Sequence, residues 1–409
     1  MYRTPASNRL HIGIFGKRNT GKSSLINAIT GQDIAIVSKT PGTTTDPVYK
    51  AMEILPIGPC MLIDTAGLDD EGILGEERVR RTLKVLRKTD VALIVVEPKT
   101  IIDRFEEELV RIFKEKKVPF VFVLNKCELK GKTARKYLQK NNFAFLEVSA
   151  KLNLGIDKLK EKIMNLAPLN WSPVPLVADI IEEKDLVVLV CPIDSAMPQG
   201  RLILPQVQVM RDILDRNAIA VVTKETELKE VLKSLKEKPK LVITDSQVFE
   251  IVRDILPRDF PLTSFSIIFA RHKGDLNAYL EGVFALESLK DDDEILIAEA
   301  CTHHVQPEDI GRTKIPTWLN NYTKKNLHYE VVSGADFPQD LKRFKLIILC
   351  GGCMVNRREI LFRIEQAKKQ NVAITNYGIL MAYLAGILGR VIEPFKKGIV
   401  EIKDFAHSS

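Results

Sequence analysis

Hydrophobic runs alternate with amphipathic stretches along the whole chain, a pattern typical of α/β proteins with mainly parallel sheets. In the first third, the pattern predicts a helix beginning near residue 22 and strands at 11–15, 60–63, 91–97, 118–124 and 143–148. A second block has strand-like runs within 185–194, 218–224 and 241–247. The last block is predicted as strand 263–269, helix 274–288, strand 294–299, helix 308–322, strands 327–332 and 345–349, helix 356–370 and strand 372–375.

Two breaks divide this pattern into three blocks. The stretch APLNWSPVPL (167–176) has three prolines in ten residues and no periodicity, and LPRDFPL (256–262) is the next interruption. The sequence therefore predicts a P-loop domain at 1–170, followed by two further α/β domains at 176–262 and 263–409.

Composition excludes several classes of protein. The net charge of +7 is spread along the chain without a block of like charges, which argues against a nucleic-acid partner. No apolar run approaches the ~18 residues of a membrane span, and the first residues contain no apolar stretch typical of a secretion signal. Six cysteines in a chain of this length do not suggest a disulfide framework. We therefore expect a cytoplasmic protein without a membrane partner.

The stretch GKRNTGKSS (16–24) matches the phosphate-binding loop G-x-x-x-x-G-K-[ST] and lies between a predicted strand and a predicted helix. Backbone N–H groups of such a loop can wrap a phosphate, while Lys22 reaches the β- and γ-phosphates and Ser23 gives its hydroxyl to Mg²⁺. The expected nucleotide-binding residues of the loop are Gly16, Asn19, Thr20, Gly21, Lys22, Ser23 and Ser24.

Four further motifs follow in a fixed order, which makes a chance match negligible. PGTTTD (41–46) offers the Thr44 hydroxyl to Mg²⁺, and LIDTAG (62–67) places Asp64 near Mg²⁺ and the Gly67 N–H near the γ-phosphate. NKCE (125–128) and SAK (149–151) each follow a predicted strand. Lys22, Thr44, Asp64 and Gly67 are thus the expected catalytic residues, with Ser23 and Thr44 as the Mg²⁺ ligands.

This order of motifs resembles the translation-factor-related GTPases of the tRNA-modification and ribosome-assembly type over roughly residues 10–166. The resemblance implies binding of GTP and GDP, with Asn125 and Glu128 on the guanine edge, Lys126 stacked over the base and the Ala150 N–H directed at O6. Ser149 and Lys151 complete that motif. The usual Asn-Lys-x-Asp pattern ends here in Glu128, whose carboxylate is one methylene longer.

The residue after Gly67 is Leu68, where Ras-like enzymes carry a glutamine that orients water. Relatives with an apolar residue at that position often use a potassium ion bound by an asparagine of the phosphate loop, and Asn19 matches that asparagine. The resemblance therefore implies slow, potassium-stimulated GTP hydrolysis suited to a switch. The alternative is that Asn19 only shapes the loop.

Three of the cysteines form a separate pattern near the C-terminal end. Cys301 lies just beyond one predicted strand, and Cys350 and Cys353 lie just beyond another, in KLIILCGGC. Ligands bind at the carboxyl ends of parallel strands, so these thiols converge if the two strands are neighbours. Three thiolates with His303 fit either a closed zinc site or a [4Fe–4S] cluster, and the residues alone leave both open. The other thiols are expected to be buried or incidental: Cys60, Cys127 and Cys191.

Taken whole, the chain is similar to the [FeFe]-hydrogenase maturation GTPases. The similarity is carried by the C-x-H and C-x-x-C motifs and by stretches such as TTTDPVYKAMEILPIGP (43–59), PIDSAMPQGRLILPQ (192–206) and EDIGRTKIPTWL (308–319). It implies a scaffold for assembly of the hydrogenase H-cluster that binds a [4Fe–4S] cluster through three cysteines. Such a scaffold accepts a diiron precursor made with two radical-SAM maturases and delivers it to apo-[FeFe]-hydrogenase. It also implies that the second domain serves dimerisation, giving a homodimer or larger homo-oligomer, and that the third binds the cluster.

The chain departs from that family at one position. The residue before Cys350 is Leu349, where the family often has a second histidine, and leucine cannot bind a metal. The fourth iron must then be open, bound by water, or held by His303, His304 or a carboxylate. Two alternatives remain: an RNA-modification or ribosome-assembly GTPase with a C-terminal zinc module, and a redox enzyme that uses Cys350 and Cys353 as a dithiol.

Overall fold

The computed structural model describes residues 8–31, 48–54, 58–65, 82–167, 174–193, 202–299, 310–334, 337–352 and 355–398. The chain divides into two compact units, 1–172 and 173–409. The first unit has one sheet with a hydrophobic core on each face, and the second has two sheets that share one core.

The first unit is built on a six-stranded sheet with the order β2-β3-β1-β4-β5-β6. Every pairing in it is parallel except the antiparallel pair of β2 with β3. Its elements are β1 (Leu10–Phe15), α1 (Lys22–Thr30), β2 (Val48–Ile54), β3 (Gly58–Asp64), β4 (Val91–Val96), α2 (Arg104–Glu115), β5 (Phe120–Leu124), α3 (Thr133–Lys140), β6 (Phe145–Glu147) and α4 (Ile156–Leu166).

Both faces of this sheet are covered, which explains its continuous apolar strands. Alternate residues of β4 point into two separate cores, with Leu93 in one and Ile94 in the other. The strands predicted from hydrophobic runs are confirmed to within a few residues. The edge strand β2 was not predicted, because its residues are mostly exposed or half-buried and form no apolar run.

The second unit contains two four-stranded, fully parallel sheets, with the orders β10-β9-β7-β8 and β12-β11-β13-β14. A single hydrophobic core runs through both sheets. The fold class predicted from the sequence, a P-loop domain followed by further α/β structure with mainly parallel sheets, is confirmed. The elements are β7 (Leu186–Val190), α5 (Leu204–Asp215), β8 (Ile219–Thr223), α6 (Leu228–Ser234), β9 (Leu241–Thr244), α7 (Phe249–Ile255), β10 (Leu262–Ser264), α8 (Phe265–Lys273), α9 (Leu276–Val283), β11 (Glu294–Glu299), α10 (Ile315–Thr323), β12 (His328–Ser333), β13 (Phe344–Leu349), α11 (Arg357–Lys369), β14 (Ala373–Asn376), α12 (Tyr377–Leu384) and α13 (Leu388–Ile392).

The predicted strand at 263–269 is wrong. The chain forms only the short strand β10, which pairs with β9 in the second sheet, and then turns directly into helix α8. The Ser264 hydroxyl accepts a hydrogen bond from the Ile267 N–H and starts the helix there. Because α8 is buried on nearly all sides, its sequence has no polar face, and a short apolar run of this kind resembles a buried strand.

Among the described residues, no helix combines the length and apolar character needed to span a membrane.

Candidate functional site

The loop between β1 and α1 has a backbone that requires glycine at two positions. Gly16 has φ +147°, and a Cβ there would lie 2.3 Å from the Val95 carbonyl oxygen. Gly21 has φ +86°, and a Cβ there would lie 2.3 Å from Asn125 Nδ2. Asn19 also adopts a left-handed conformation, with φ +62°. These turns direct the chain around a concave loop that ends at the N-terminus of α1.

Lys22 lies inside this loop. Its Nζ donates to the carbonyl oxygens of Gly16 at 2.6 Å and Lys17 at 2.8 Å, and the residue is only 7% exposed. The Thr20 hydroxyl also donates to the Lys17 carbonyl, at 2.8 Å. An ammonium group, a helix N-terminus and a glycine-shaped loop therefore meet at one place, which fits a nucleotide phosphate. Ser24, the last predicted residue of the loop, is exposed.

Ser23 and Asp64 form the polar pair expected at a Mg²⁺ site. The Ser23 hydroxyl donates to Asp64 Oδ2 at 2.9 Å, and β1 and β3 are aligned so that Ile14 lies beside Asp64. Asp64 is buried, and its Oδ1 has no hydrogen-bond partner among the described residues. A buried carboxylate oxygen next to a serine hydroxyl fits a hydrated Mg²⁺, which prefers oxygen ligands. Thr44 and Gly67 lie outside the described residues, as does Leu68.

Asn125 connects the phosphate loop to the predicted base-binding motifs. Its Nδ2 donates to the Thr20 carbonyl at 2.9 Å, and its Oδ1 accepts from the Ala150 N–H at 3.0 Å. Asn125 is 1% exposed, so its side-chain amide connects two segments of the protein interior by hydrogen bonds. Lys126 lies over the same region and donates to the Asn19 carbonyl at 2.6 Å and to Glu97 Oε1 at 2.5 Å.

Glu97 was not singled out by the sequence. It directly follows β4, at the same carboxyl edge of the sheet as the phosphate loop, and that position is the signal that could have identified it.

Glu128 lies at the open side of the base-binding region. It is exposed, and a hydrogen bond from the Ser149 hydroxyl holds its pKa below the ordinary value for glutamate. Ser149 is buried, and Lys151 is exposed nearby. An ionised carboxylate in this position can accept hydrogen bonds from the N1 and N2 groups of a guanine.

The two strands that lead to the three-thiol pattern are neighbours. β11 and β13 pair in parallel, and the Cys350 N–H donates to the Ala298 carbonyl at 3.2 Å. Cys350 therefore lies beside the end of β11, the strand that precedes Cys301 in the sequence. Leu349 is 1% exposed and belongs to the hydrophobic core, which agrees with its exclusion as a metal ligand. Cys301, His303, His304 and Cys353 lie outside the described residues.

Polar groups gather at the end of β11 near this point. Glu299 is 4% exposed, and its Oε2 accepts from the Ser333 hydroxyl at 3.1 Å, with an Arg312 nitrogen 3.7 Å away. A Cβ added at Gly311 would lie 2.1 Å from the Tyr377 hydroxyl oxygen and 2.9 Å from Glu299 Oε1. The strand end is thus a packed polar environment. Within the described part of the chain, no set of three potential metal-ligating side chains comes together.

The cysteines expected to be inert are placed accordingly. Cys60 and Cys191 are buried, and burial raises the pKa of both thiols to about 12. Burial also raises the pKa of Cys127, whose N–H is bonded to the Val148 carbonyl at 3.0 Å. Thiols that remain protonated are poor nucleophiles and poor metal ligands.

Three family models match the chain, one within the first structural unit and two within the second. The model described as Hydrogen maturase F dimerization domain matches residues 176–274, and the Hydrogen maturase F tetramerization domain matches residues 277–394. The 50S ribosome-binding GTPase model matches residues 11–126.

Individual relatives share only a part of their length with this chain. The tRNA modification GTPase MnmE of Coxiella burnetii is 34% identical over 157 residues, which is 38% of this chain and 34% of the relative. The GTPase Der of Wolinella succinogenes is 35% identical over 172 residues, which is 39% of this chain and 36% of the relative. The MnmE of Desulforamulus reducens is 36% identical over 157 residues, 37% of this chain and 33% of the relative. The chain thus spans about a third of the length of these curated relatives.

Proposed function

We propose that this chain, which is a GTPase of the hydrogen maturase F type, is a carrier that holds a [4Fe–4S] cluster and delivers a diiron precursor to apo-[FeFe]-hydrogenase. Its GTPase activity is supported by the phosphate-loop match, and its role in maturation by the two hydrogen maturase F domains. The observation that carries the finer proposal is the pairing of β11 with β13, which brings Cys350 beside the strand that leads to Cys301.

The nucleotide part of the proposal rests on the observed contacts of Lys22, Ser23 and Asp64. Lys22 and the N-terminus of α1 would hold the phosphates, and Ser23 with Asp64 would hold Mg²⁺ and its water. When bound, Mg²⁺ supplies charge neutralisation at the phosphate oxygens. Thr44 and Gly67 are proposed to complete the site.

We propose potassium as a further cation of this site, giving slow and potassium-stimulated hydrolysis. The left-handed backbone of Asn19 and the bond from Lys126 to its carbonyl fix this residue at the rim of the loop. Leu68 has no group that could orient water, so a cation would supply the missing positive charge. GTP and GDP are the proposed nucleotides, with Asn125, Lys126 and Glu128 at the base.

The cluster part of the proposal rests on the three cysteines as iron ligands. Cys301, Cys350 and Cys353 would hold three irons of the cluster, since thiolates are the preferred ligands of iron–sulfur clusters. Because leucine has no ligating atom, Leu349 leaves His303, His304, a carboxylate or water for the fourth iron. When bound, such a cluster supplies an iron with an exchangeable coordination position, which suits a carrier of a precursor.

The partners proposed from the family are two radical-SAM maturases and apo-[FeFe]-hydrogenase, in the cytoplasm. The two matched maturase domain models are named for dimerization and tetramerization, which supports a homo-oligomer. The edge strand β8 offers a route for it, and its residues Ile219 and Val222 are 52% and 43% exposed. Pairing of two such edges across a two-fold axis would satisfy the backbone N–H and C=O groups at the free edge of each strand.

Anaerobic reconstitution of the full chain with iron and sulfide tests the proposal. A cluster gives brown protein with about four irons per chain and a paramagnetic resonance signal on reduction. In the same experiment His303→Ala should retain iron but change the resonance spectrum if His303 lies near the exchangeable iron. Colourless protein that instead binds stoichiometric zinc would favour the alternative, an RNA-modification or ribosome-assembly GTPase with a zinc module.

A further inference from the structure

The last turn of helix α8 carries three consecutive basic residues, and each makes different contacts. The Arg271 guanidinium forms an ion pair with Asp179 near the start of the second unit. The His272 ring nitrogen Nδ1 is bonded to the Val174 carbonyl at 2.5 Å. Lys273 points the other way, into the protein. The first two residues therefore anchor the beginning of the unit, and the third has a separate task.

Lys273 is a lysine in an unusual position. It is 1% exposed, although lysine is almost never fully buried unless its ammonium group is hydrogen-bonded. Its Nζ donates to the carbonyl oxygens of Gly352 at 3.1 Å and Val355 at 3.0 Å. The ammonium also lies 5.6 Å from the centre of the Phe269 ring. The burial of this charge is thus tied to the loop after β13.

The two carbonyl groups lie on either side of Cys353 in the sequence. Gly352 has φ +62°, and its carbonyl also accepts from the Val355 N–H at 3.3 Å, which closes a turn. A Cβ at Gly352 would lie 2.8 Å from the Cδ1 atom of Ile360 in α11. One charged donor therefore fixes both ends of the short segment that contains Cys353.

Further hydrogen bonds hold the start of α11 and Cys350 on either side of this segment. The Asn356 side chain caps α11 by accepting from the Glu359 N–H at 3.2 Å, and an Arg357 nitrogen donates to the His272 carbonyl at 2.7 Å. On the strand side, the Cys350 N–H is bonded to the Ala298 carbonyl. Residues 350–356, which include Cys350 and Cys353, are called the thiol loop. The end of α8 thus contacts both this loop and the start of α11, which follows it.

We propose that Lys273 is a positioning residue of the thiol loop, where its buried ammonium fixes the backbone at Gly352 and Val355, on either side of Cys353 in the sequence, and adds a positive charge to this loop. A carbonyl-bonded ammonium restricts the loop before any metal is bound, and ligand sets need such preorganisation. A cluster held by thiolates carries negative charge, and nearby charges and hydrogen bonds tune it. This second part rests on the proposed cluster, whereas the first does not.

The loop is tested first in the full-length protein without metal, by hydrogen–deuterium exchange of the amides at 350–356. Lys273→Met keeps the length of the side chain but leaves two carbonyls without their donor, and we expect roughly tenfold faster exchange, which corresponds to a loss of about 1.4 kcal/mol. Arg271→Met is the matched control, since it removes a basic residue from the same helical turn without touching the loop. If Lys273→Met does not fold, Lys273→Arg takes its place with the same direction and a smaller effect.

The cluster is tested second, by the rate at which a chelator extracts iron from the anaerobically reconstituted protein and by its resonance spectrum. Residues that support metal ligands typically contribute about 10- to 100-fold to metal affinity, so Lys273→Met should lose iron faster by that order. The spectrum should shift, Lys273→Arg should recover part of the retention, and GTP hydrolysis should stay at the wild-type rate in all variants.

The outcomes separate the two proposals. Unchanged exchange at 350–356 in Lys273→Met overturns the positioning role, whatever the cluster does. Faster exchange together with a wild-type protein that takes up no cluster supports the positioning role and refutes the proposed cluster function. Faster exchange with unchanged iron retention and spectrum overturns the role of Lys273 toward the cluster. Faster exchange with faster iron loss supports the whole inference.

Discussion

The phosphate loop and the thiol loop follow the same plan in two separate units of the chain. Each comes directly after a buried parallel strand, turns on a glycine with positive φ and leads into a helix. In each, a lysine ammonium donates to two main-chain carbonyls of the loop: Lys22 to Gly16 and Lys17, and Lys273 to Gly352 and Val355.

The two loops differ in the part of the chain that supplies the lysine. Lys22 belongs to the loop it bonds, so a phosphate can draw its ammonium away from the carbonyls when nucleotide binds. Lys273 comes from another helix and is 1% exposed, so its bonds act as a permanent support. The difference suits a loop that responds to a bound phosphate and a loop that is proposed to hold Cys350 and Cys353 in place.

The largest expected effect comes from removing one thiol. Cys350→Ser, like Cys301→Ser or Cys353→Ser, should strip the cluster, because a hydroxyl is a poor replacement for a soft thiolate ligand. Iron content after anaerobic reconstitution measures the loss, while GTP hydrolysis should be unchanged. The wild-type amount of iron in all three variants would mean that these thiols are not the ligands.

Lys22→Ala tests the other loop. Loss of the ammonium at the phosphates should lower the GTP hydrolysis rate by at least about 100-fold, a typical effect of removing a group that stabilises developing charge. Iron content should remain at the wild-type level, since the thiols belong to the other unit. If Lys22→Ala also lost its iron, the two loops could not be treated as separate sites.

Asn125→Ala should destabilise the first unit as well as weaken nucleotide binding. The Thr20 carbonyl and the Ala150 N–H would each lose a partner, at a cost of about 1–3 kcal/mol per buried group. For a unit of this size each kcal/mol lowers the melting temperature by roughly 2–4 °C. Thermal unfolding without nucleotide measures this decrease in melting temperature. Asn141→Ala, at the exposed end of α3, is the control. An unchanged melting temperature would show that Asn125 acts only on the nucleotide.

The smallest expected effect is that of the monovalent cation. Replacing potassium by sodium at equal ionic strength should slow GTP hydrolysis several-fold if Asn19 helps to hold potassium, and iron content should not respond. Asn19→Ala should remove the difference between the two salts. Equal rates of the wild-type protein in both salts would leave Asn19 with the structural role of shaping the loop.

The strands and the nucleotide motifs could be predicted because their signals are local. The apolar runs at β1, β4 and β5 follow from burial on both faces of a sheet, and the motif around Lys22 needs only a strand before it and a helix after it. Prediction failed at 263–269 because α8 is buried all round, so that helical and strand periodicity could not be told apart.

By itself, the sequence identified the candidate residues: the phosphate loop and the base motifs, each defined by a short local pattern, and the three cysteines Cys301, Cys350 and Cys353. Only the tertiary structure decided that β11 and β13 are neighbours, that Asn125 ties the loop to Ala150, and that Lys273 supports the thiol loop. The last contact joins residues 79 positions apart. Its partners are backbone carbonyls, which every residue possesses, so no side-chain pattern in the sequence could mark them.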